Sequence, residues 1–286
     1  MLRRAAAVFA VLALVLEARD AGAYCRATTC DTSGVRCDPP TAEDCGEPLH
    51  WKRACIGISV QEDGTGQLVR KDVRGALLAA FAAWETADCG DTTPSLHIED
   101  LSYVGCSRIE YNSNGGNANA LIFRDGTWPH TSGPHNIALT TVTFDTGTGE
   151  IFDADIEVNT SEYTVTLTDT TNDYDLLSVL THEAGHFLGL AHTPSPDATM
   201  FSVYPSGSLD FRSLSPDDTN AICAAYPPGD TPDECNPIPR HGFASECAAE
   251  QPGGSCAIEA PRSDARSSFA LATIAAAIAI SRRRKR

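Results

Sequence analysis

His182-Glu183-Ala184-Gly185-His186-Phe187-Leu188-Gly189-Leu190-Ala191-His192 is the stretch around which this chain is organised. Its imidazoles stand at offsets 0, 4 and 10, with Glu183 beside the first and Gly189 between the second and third. On a helix, residues four apart share a face, so His182 and His186 can reach one metal ion. A straight helix would carry position 192 past that ion. Glycine tolerates positive φ, so the helix can stop at Gly189 and the chain can turn back to deliver His192 as a third nitrogen ligand. Three protein nitrogens with a fourth, open position describe a catalytic zinc site rather than a structural one. A single histidine is ordinarily a surface or core residue. The glycine and third histidine at fixed spacing carry the metal reading.

Upstream of this stretch the spacing predicts a strand over 54–60, a turn at Gly64-Thr65-Gly66, and a helix over 71–88. That helix stacks Val73, Leu77, Leu78, Phe81 and Trp84 on one face. Strands are expected near 95–101 and 119–123, then at 137–145 and 150–159 around a Thr-Gly-Thr-Gly turn. The motif helix is predicted over 174–191, with Leu176, Leu177, Val179 and Leu180 packing beneath the metal. A loop over 193–213 and a last helix from the Ser215-Pro216-Asp217-Asp218 cap to Tyr226 follow. Strands first, one helix among them, then the motif helix make an α/β sandwich of the α+β class.

The two ends read differently. Arg3 and Arg4, the apolar run 5–16 and Ala21-Gly22-Ala23 form the three parts of a secretory signal over 1–23. Residues 24–47 hold four cysteines and little apolar periodicity, a disulfide-tied segment ahead of the domain at 48–228. Residues 229–256 are a Cys-, Pro- and Gly-rich linker or small disulfide-tied appendage. Residues 257–286 end in an apolar run of about 12–15 residues and five cations, too short for the ~30 Å hydrocarbon core of a bilayer. The eleven cysteines in a chain with an export signal read as disulfides, with Cys256 the odd one left over.

The formal charge is −17. Residues 1–23 carry +1 and 282–286 carry +5, which leaves −23 for the body between them. Phosphate would be repelled, so nucleic acid is excluded as a partner.

The eleven-residue motif is the metzincin signature, and over 48–228 the chain most resembles the matrixin (interstitial collagenase-like) branch. Met200 lies eight residues after His192 at the Met-turn spacing, and it is the only methionine besides the initiator. Phe81-Ala82-Ala83-Trp84 is similar to the family's first helix, and Leu214-Ser215-Pro216-Asp217-Asp218 with Ile222 and Tyr226 to its last. The resemblance implies a twisted, mostly parallel five-stranded sheet and about three helices. It implies one catalytic Zn²⁺ held by His182, His186 and His192, Glu183 as general base, and Met200 as a soft base under the metal. It also implies a sheet edge over 137–143 that takes an extended peptide by main-chain pairing, with Ile137, Ala138, Leu139, Thr140 and Thr141 as candidates. Tyr204 would line the S1′ wall, where Ser202 replaces the expected proline, and Thr193 stands where the family has serine.

Other features depart from the family or match it only faintly. In the loop around the edge strand only His130 and His135 remain, so a second zinc is not expected. Asp153 and Asp155 offer carboxylates for Ca²⁺, although exposed acidic residues in a turn are the more ordinary explanation. Arg36-Cys37-Asp38-Pro39-Pro40 faintly resembles a propeptide cysteine switch but lacks its glycine and closing aspartate, and an ordinary disulfide is the simpler reading. The C-terminal tail resembles the tripartite MYXO-CTERM sorting tail, which implies processing near Cys256 and display at the cell surface or membrane.

The chemistry implied is peptide hydrolysis by a metal-activated water whose proton passes to Glu183 and then to the leaving amine. The expected substrate is an extended peptide or protein. A zinc hydrolase of cell-wall peptides and a non-catalytic surface binding protein on the same scaffold are the competing classes.

Overall fold

Strands covered on both faces cannot alternate apolar with solvated residues, so each polar side chain they carry needs a buried partner. The central strands of this chain are of that kind. The computed structural model describes residues 24–30, 35–42, 44–130, 136–169, 172–229 and 235–248, together with the backbone of 270–272. In chain order the elements are β1 (Tyr24–Ala27), β2 (Val35–Asp38), β3 (Cys55–Gln61), α1 (Arg70–Glu85), β4 (His97–Val104), β5 (Ala120–Phe123), β6 (Ala138–Phe144) and β7 (Ile151–Val158). They continue with β8 (Val165–Thr166), β9 (Tyr174–Asp175), α2 (Leu176–Phe187), β10 (Leu190–Ala191), α3 (Pro216–Ala225) and β11 (Ala270–Ala272).

The main sheet runs β6-β7-β5-β3-β4, parallel except where β6 meets β7. This is the five-stranded, mostly parallel sheet with three α-helices that the resemblance implied. The backbone of β11 adds a short antiparallel stretch outside β6, with Leu271 opposite Thr143. Both α1 and α2 pack on one face of the sheet, where Ala154, Ile156 and Val158 of β7 meet Leu77, Phe81, Trp84, Val179 and Leu180. The period of two turns Asp153, Asp155 and Glu157 to the opposite face. There the Glu110 backbone reaches Asp155, and Arg124 and His130 reach Glu157. A strap over 235–248, tied by Cys55–Cys235 and Cys106–Cys247, packs on the loop around Cys106 and Asn117. Its backbone also bonds to Gly105, Cys106 and Asn117. Residues 229–256, read from composition as linker or appendage, thus include a stretch packed on the domain.

A second, three-stranded sheet has the order β10-β1-β2. It forms because the Cys-rich segment folds back onto the chain beside the motif, with Cys25–Cys37 and Cys30–Cys45 closing it. Cys37 is therefore a disulfide partner and offers no thiol to an open metal position. Cys89–Cys223 ties the end of α1 to α3. The signal segment, Cys256 and His135 lie outside the described residues, as does the C-terminal tail apart from the β11 backbone. No helix among the described residues is long and apolar enough to cross a membrane.

The motif helix is shorter than its pattern suggested. Asp175 caps it by accepting from the Ser178 N–H at 2.9 Å, and the Arg212 guanidinium holds the same carboxylate at 2.6 and 2.8 Å. At the other end α2 stops at Phe187, before Gly189 turns the chain with φ of 84°.

Candidate metal centre

The Nε2 atoms of His182, His186 and His192 converge, separated by 3.1, 3.2 and 3.2 Å. Nitrogens about 2.0–2.1 Å from a tetrahedral zinc would stand roughly 3.3 Å apart, so the spacing fits that ion. The outer nitrogens fix the tautomers. His182 Nδ1 meets the Thr199 carbonyl at 2.6 Å and His186 Nδ1 meets the Leu190 carbonyl at 2.9 Å, so each Nδ1 carries the proton and each Nε2 presents a lone pair. Burial pushes His182 down to about 4 and, with the neighbouring His182, takes His192 to about 3. His186 falls well below the usual imidazole range, first through burial and then through the two other rings. Neutral rings whose Nε2 atoms converge in this way could hold a cation between them. Among the described residues, the other metal-like groupings contain Cys235 or Cys106 and Cys247, all of which are in disulfides.

Glu183 stands beside the cluster with no exposed surface. Its Oε2 accepts from the Thr140 hydroxyl at 2.6 Å, and its Oε1 has no hydrogen-bond partner among the described residues. Burial raises its carboxyl to about 8, against the opposing pull of the Thr140 bond. Thr140 belongs to β6, so the edge strand and the candidate base are joined directly. The remaining edge candidates Ile137, Ala138, Leu139 and Thr141 are also buried, with Ile137 just ahead of the strand.

Met200 lies under the helix. A Cβ at Gly185 would stand 2.2 Å from the Met200 sulfur and 2.9 Å from the Trp84 ring, so α2 sits on both only because position 185 is glycine. Trp84 Nε1 donates to the Thr181 carbonyl at 2.9 Å, one residue before His182. Asp218 fastens the Met-turn by accepting from Thr199 N–H at 2.7 Å and Met200 N–H at 3.0 Å. The sequence marked Asp218 only as a helix-capping residue; its hold on Thr199, and so on His182, comes from the fold.

Tyr204 is packed inside the loop beyond Met200. Its ring lies 5.2 Å from Phe211 and 6.0 Å from Tyr174, and its hydroxyl donates to the Ser208 carbonyl. A neighbouring cavity of about 460 Å³ is lined by Pro196, Phe201, Val203, Pro205 and Phe211 among others. Phe211 also lies nearly parallel to the His182 ring, 6.0 Å away, a contact no sequence signal announced.

Asp153 and Asp155 are buried in β7, where the sequence suggested exposed acids in a turn. The reason is the loop carrying Glu110 and Tyr111, which packs on a sheet face that the local pattern reads as solvated. Asp155 accepts from Ala120 N–H at 2.8 Å, and Asp153 Oδ1 has no partner among the described residues. Glu157 is paired with Arg124 at 2.5 Å and with His130 at 2.6 Å, so His130 serves a carboxylate.

Residues 50–227 match the matrixin family model. The chain is 30% identical to human neutrophil collagenase over 197 residues, which is 65% of this chain and 37% of that protein. It is 29% identical to macrophage metalloelastase of Oryctolagus cuniculus over 196 residues, 68% of this chain and 36% of that protein. A shorter match, 43% over 65 residues, relates it to interstitial collagenase B of Mus musculus and covers 23% and 14% of the two chains. The chain thus spans about a third of the length of the neutrophil collagenase and the metalloelastase.

Proposed function

The chain belongs to the matrixin family, and from that premise we propose that it is a zinc-dependent endopeptidase that cleaves extended peptides. The observation that carries this reading is the convergence of three neutral imidazoles beside a buried, raised-pKa carboxyl. His182, His186 and His192 would hold the metal, which when bound supplies Lewis acidity for polarising a peptide carbonyl and acidifying a water. Glu183 takes a proton on its unpartnered Oε1 and later gives it to the leaving amine. Thr140 orients that carboxyl through Oε2. The substrate backbone pairs with the outer side of β6, an edge that also takes the antiparallel stretch Ala270–Ala272.

Casein digestion that a chelator abolishes and added zinc restores is the expected result. Release of amino groups from peptidoglycan but none from casein would move the substrate to cell-wall peptides. Zinc binding with neither activity would leave a binding protein on this scaffold.

We place the protein outside the cell, with 1–23 as the export signal and 257–286 as a surface-sorting tail. Five disulfides in the described residues support an oxidising destination. The cofactor set is one zinc, with the Asp153–Asp155 pair holding protons in place of calcium. Burial is the main cause that raises both carboxyls well above their usual range; Asp153 adds to it at Asp155, and Glu110 adds to it at Asp153. A raised folded-state pKa stabilises the fold fully below the unfolded value of about 3.9, and that contribution is lost as pH rises through the folded pKa. Asp155→Asn, which mimics the protonated form, is expected to keep its Tm in this upper range while the wild-type Tm declines. Added calcium should leave the wild-type Tm unchanged. A calcium-dependent rise in Tm that Asp155→Asn removes would assign the pair to calcium.

A further inference from the structure

We propose that the disulfide-tied stretches 24–30, 35–42 and 44–49 form a clamp on the turn between the second and third metal ligands, and that it sets how firmly the protein retains zinc. This rests on the zinc reading above. The turn from Leu188 to Ala191 has to hold His192 Nε2 3.2 Å from His186 Nε2 without a helix of its own. A helix end leaves carbonyls unsatisfied, and here other parts of the chain take three in succession. Trp51 Nε1 donates to Phe187 O at 2.8 Å, the Tyr226 hydroxyl to Leu188 O at 3.0 Å, and Ala27 N–H to Gly189 O at 3.0 Å.

The segment then continues as a strand beside the turn. β1 pairs antiparallel with β10 in the register Cys25↔Ala191 and Arg26↔Leu190, and Ala191 immediately precedes the ligand His192. From below, the Leu49 carbonyl lies against Gly189, 2.4 Å from where a Cβ would stand. Leu49 is held by its own N–H on the Ala27 carbonyl at 2.8 Å and by Arg26 Nη2 on its oxygen at 2.5 Å. Cys25–Cys37 and Cys30–Cys45 close the segment around these contacts. The matrixin match begins at residue 50, so the clamp lies wholly outside the matched stretch.

Ala27 and Arg26 are accordingly positioning residues for His192. Ordering the third ligand before metal arrives removes that cost from binding. Loss of an outer-shell partner of a ligand typically weakens metal affinity about 10–100-fold, and a similar increase in the rate of zinc loss is expected here. The test uses the full chain loaded with zinc and follows transfer to a chromophoric chelator, with the absorption spectrum of the cobalt-substituted protein as a second readout. Ala27→Pro keeps both disulfides, tolerates an extended Arg26, and removes the N–H that reaches Gly189. Cys25→Ser/Cys37→Ser opens the clamp itself. Cys55→Ser/Cys235→Ser breaks a disulfide of the strap and serves as control.

Faster zinc transfer and an altered cobalt spectrum in the two clamp variants, but not in the control, are the expected results. Ala27→Pro decides the matter alone if the double cysteine variant does not fold. Zinc transfer at the wild-type rate from the clamp variants overturns the proposal, and so does an equal acceleration in the control. A wild-type chain that takes up no zinc is a separate result, directed at the proposed function.

Discussion

Glu183→Gln is expected to keep one zinc per chain and to lose peptide hydrolysis by about 10²–10⁴-fold, the usual range for removing a positioned general base. Metal retention follows because Glu183 is not among the converging nitrogens. The substitution keeps the shape of the side chain and an oxygen to accept from Thr140, so the geometry around Oε2 should persist. What disappears is a carboxyl with one unpartnered oxygen and a pKa brought to about 8 by burial. Metal analysis and initial rates on casein, measured on the same preparation, check both halves. Hydrolysis by Glu183→Gln at the wild-type rate would remove Glu183 from the mechanism.

Gly189→Ala should lose zinc, although it lies between ligands and touches no metal. Two costs combine. A non-glycine residue in the left-handed region is strained by roughly 1–2 kcal/mol, and Gly189 has φ of 84°. The added Cβ would also stand 2.4 Å from the Leu49 carbonyl oxygen, which is backbone held in place by Arg26. The turn must open, and His192 moves with it. Gly64→Ala separates the two costs, since Gly64 has φ of 59° but its Cβ would meet only the flexible Arg70 side chain at 3.6 Å. We expect substoichiometric zinc and a lowered Tm for Gly189→Ala, with a modest loss of Tm and full zinc for Gly64→Ala. Full zinc occupancy in Gly189→Ala would show that the turn does not depend on this close approach.

Much of this fold was legible because its signals are local. The stripe Val73–Leu77–Phe81–Trp84 repeats at helical spacing, and α1 forms over Arg70–Glu85 as that repeat requires. The strands β3, β5, β6 and β7 fall within a residue or so of their expected bounds. Short strands such as β1, β2 and β10 were not legible, since they lack the apolar run that marks the equally short β5 and form only when a partner arrives. The motif helix ran shorter than its apolar pattern because that pattern continues through Leu188 and Leu190, which are buried by other elements after the helix has ended.

The sequence by itself determined the candidate ligand set, the candidate base and the turn that brings His192 back, because metal chemistry restricts residue type and helix geometry restricts spacing. Tertiary structure alone decided the partners that make those residues usable. Thr140 on Glu183, Asp218 on the Met-turn, and Ala27 on the Gly189 carbonyl join positions 43, 18 and 162 residues apart. It also decided that Cys37 is tied to Cys25 and that Asp153 and Asp155 are buried. Contacts between distant segments leave no periodic trace in sequence; they exist only once packing has brought the two surfaces together.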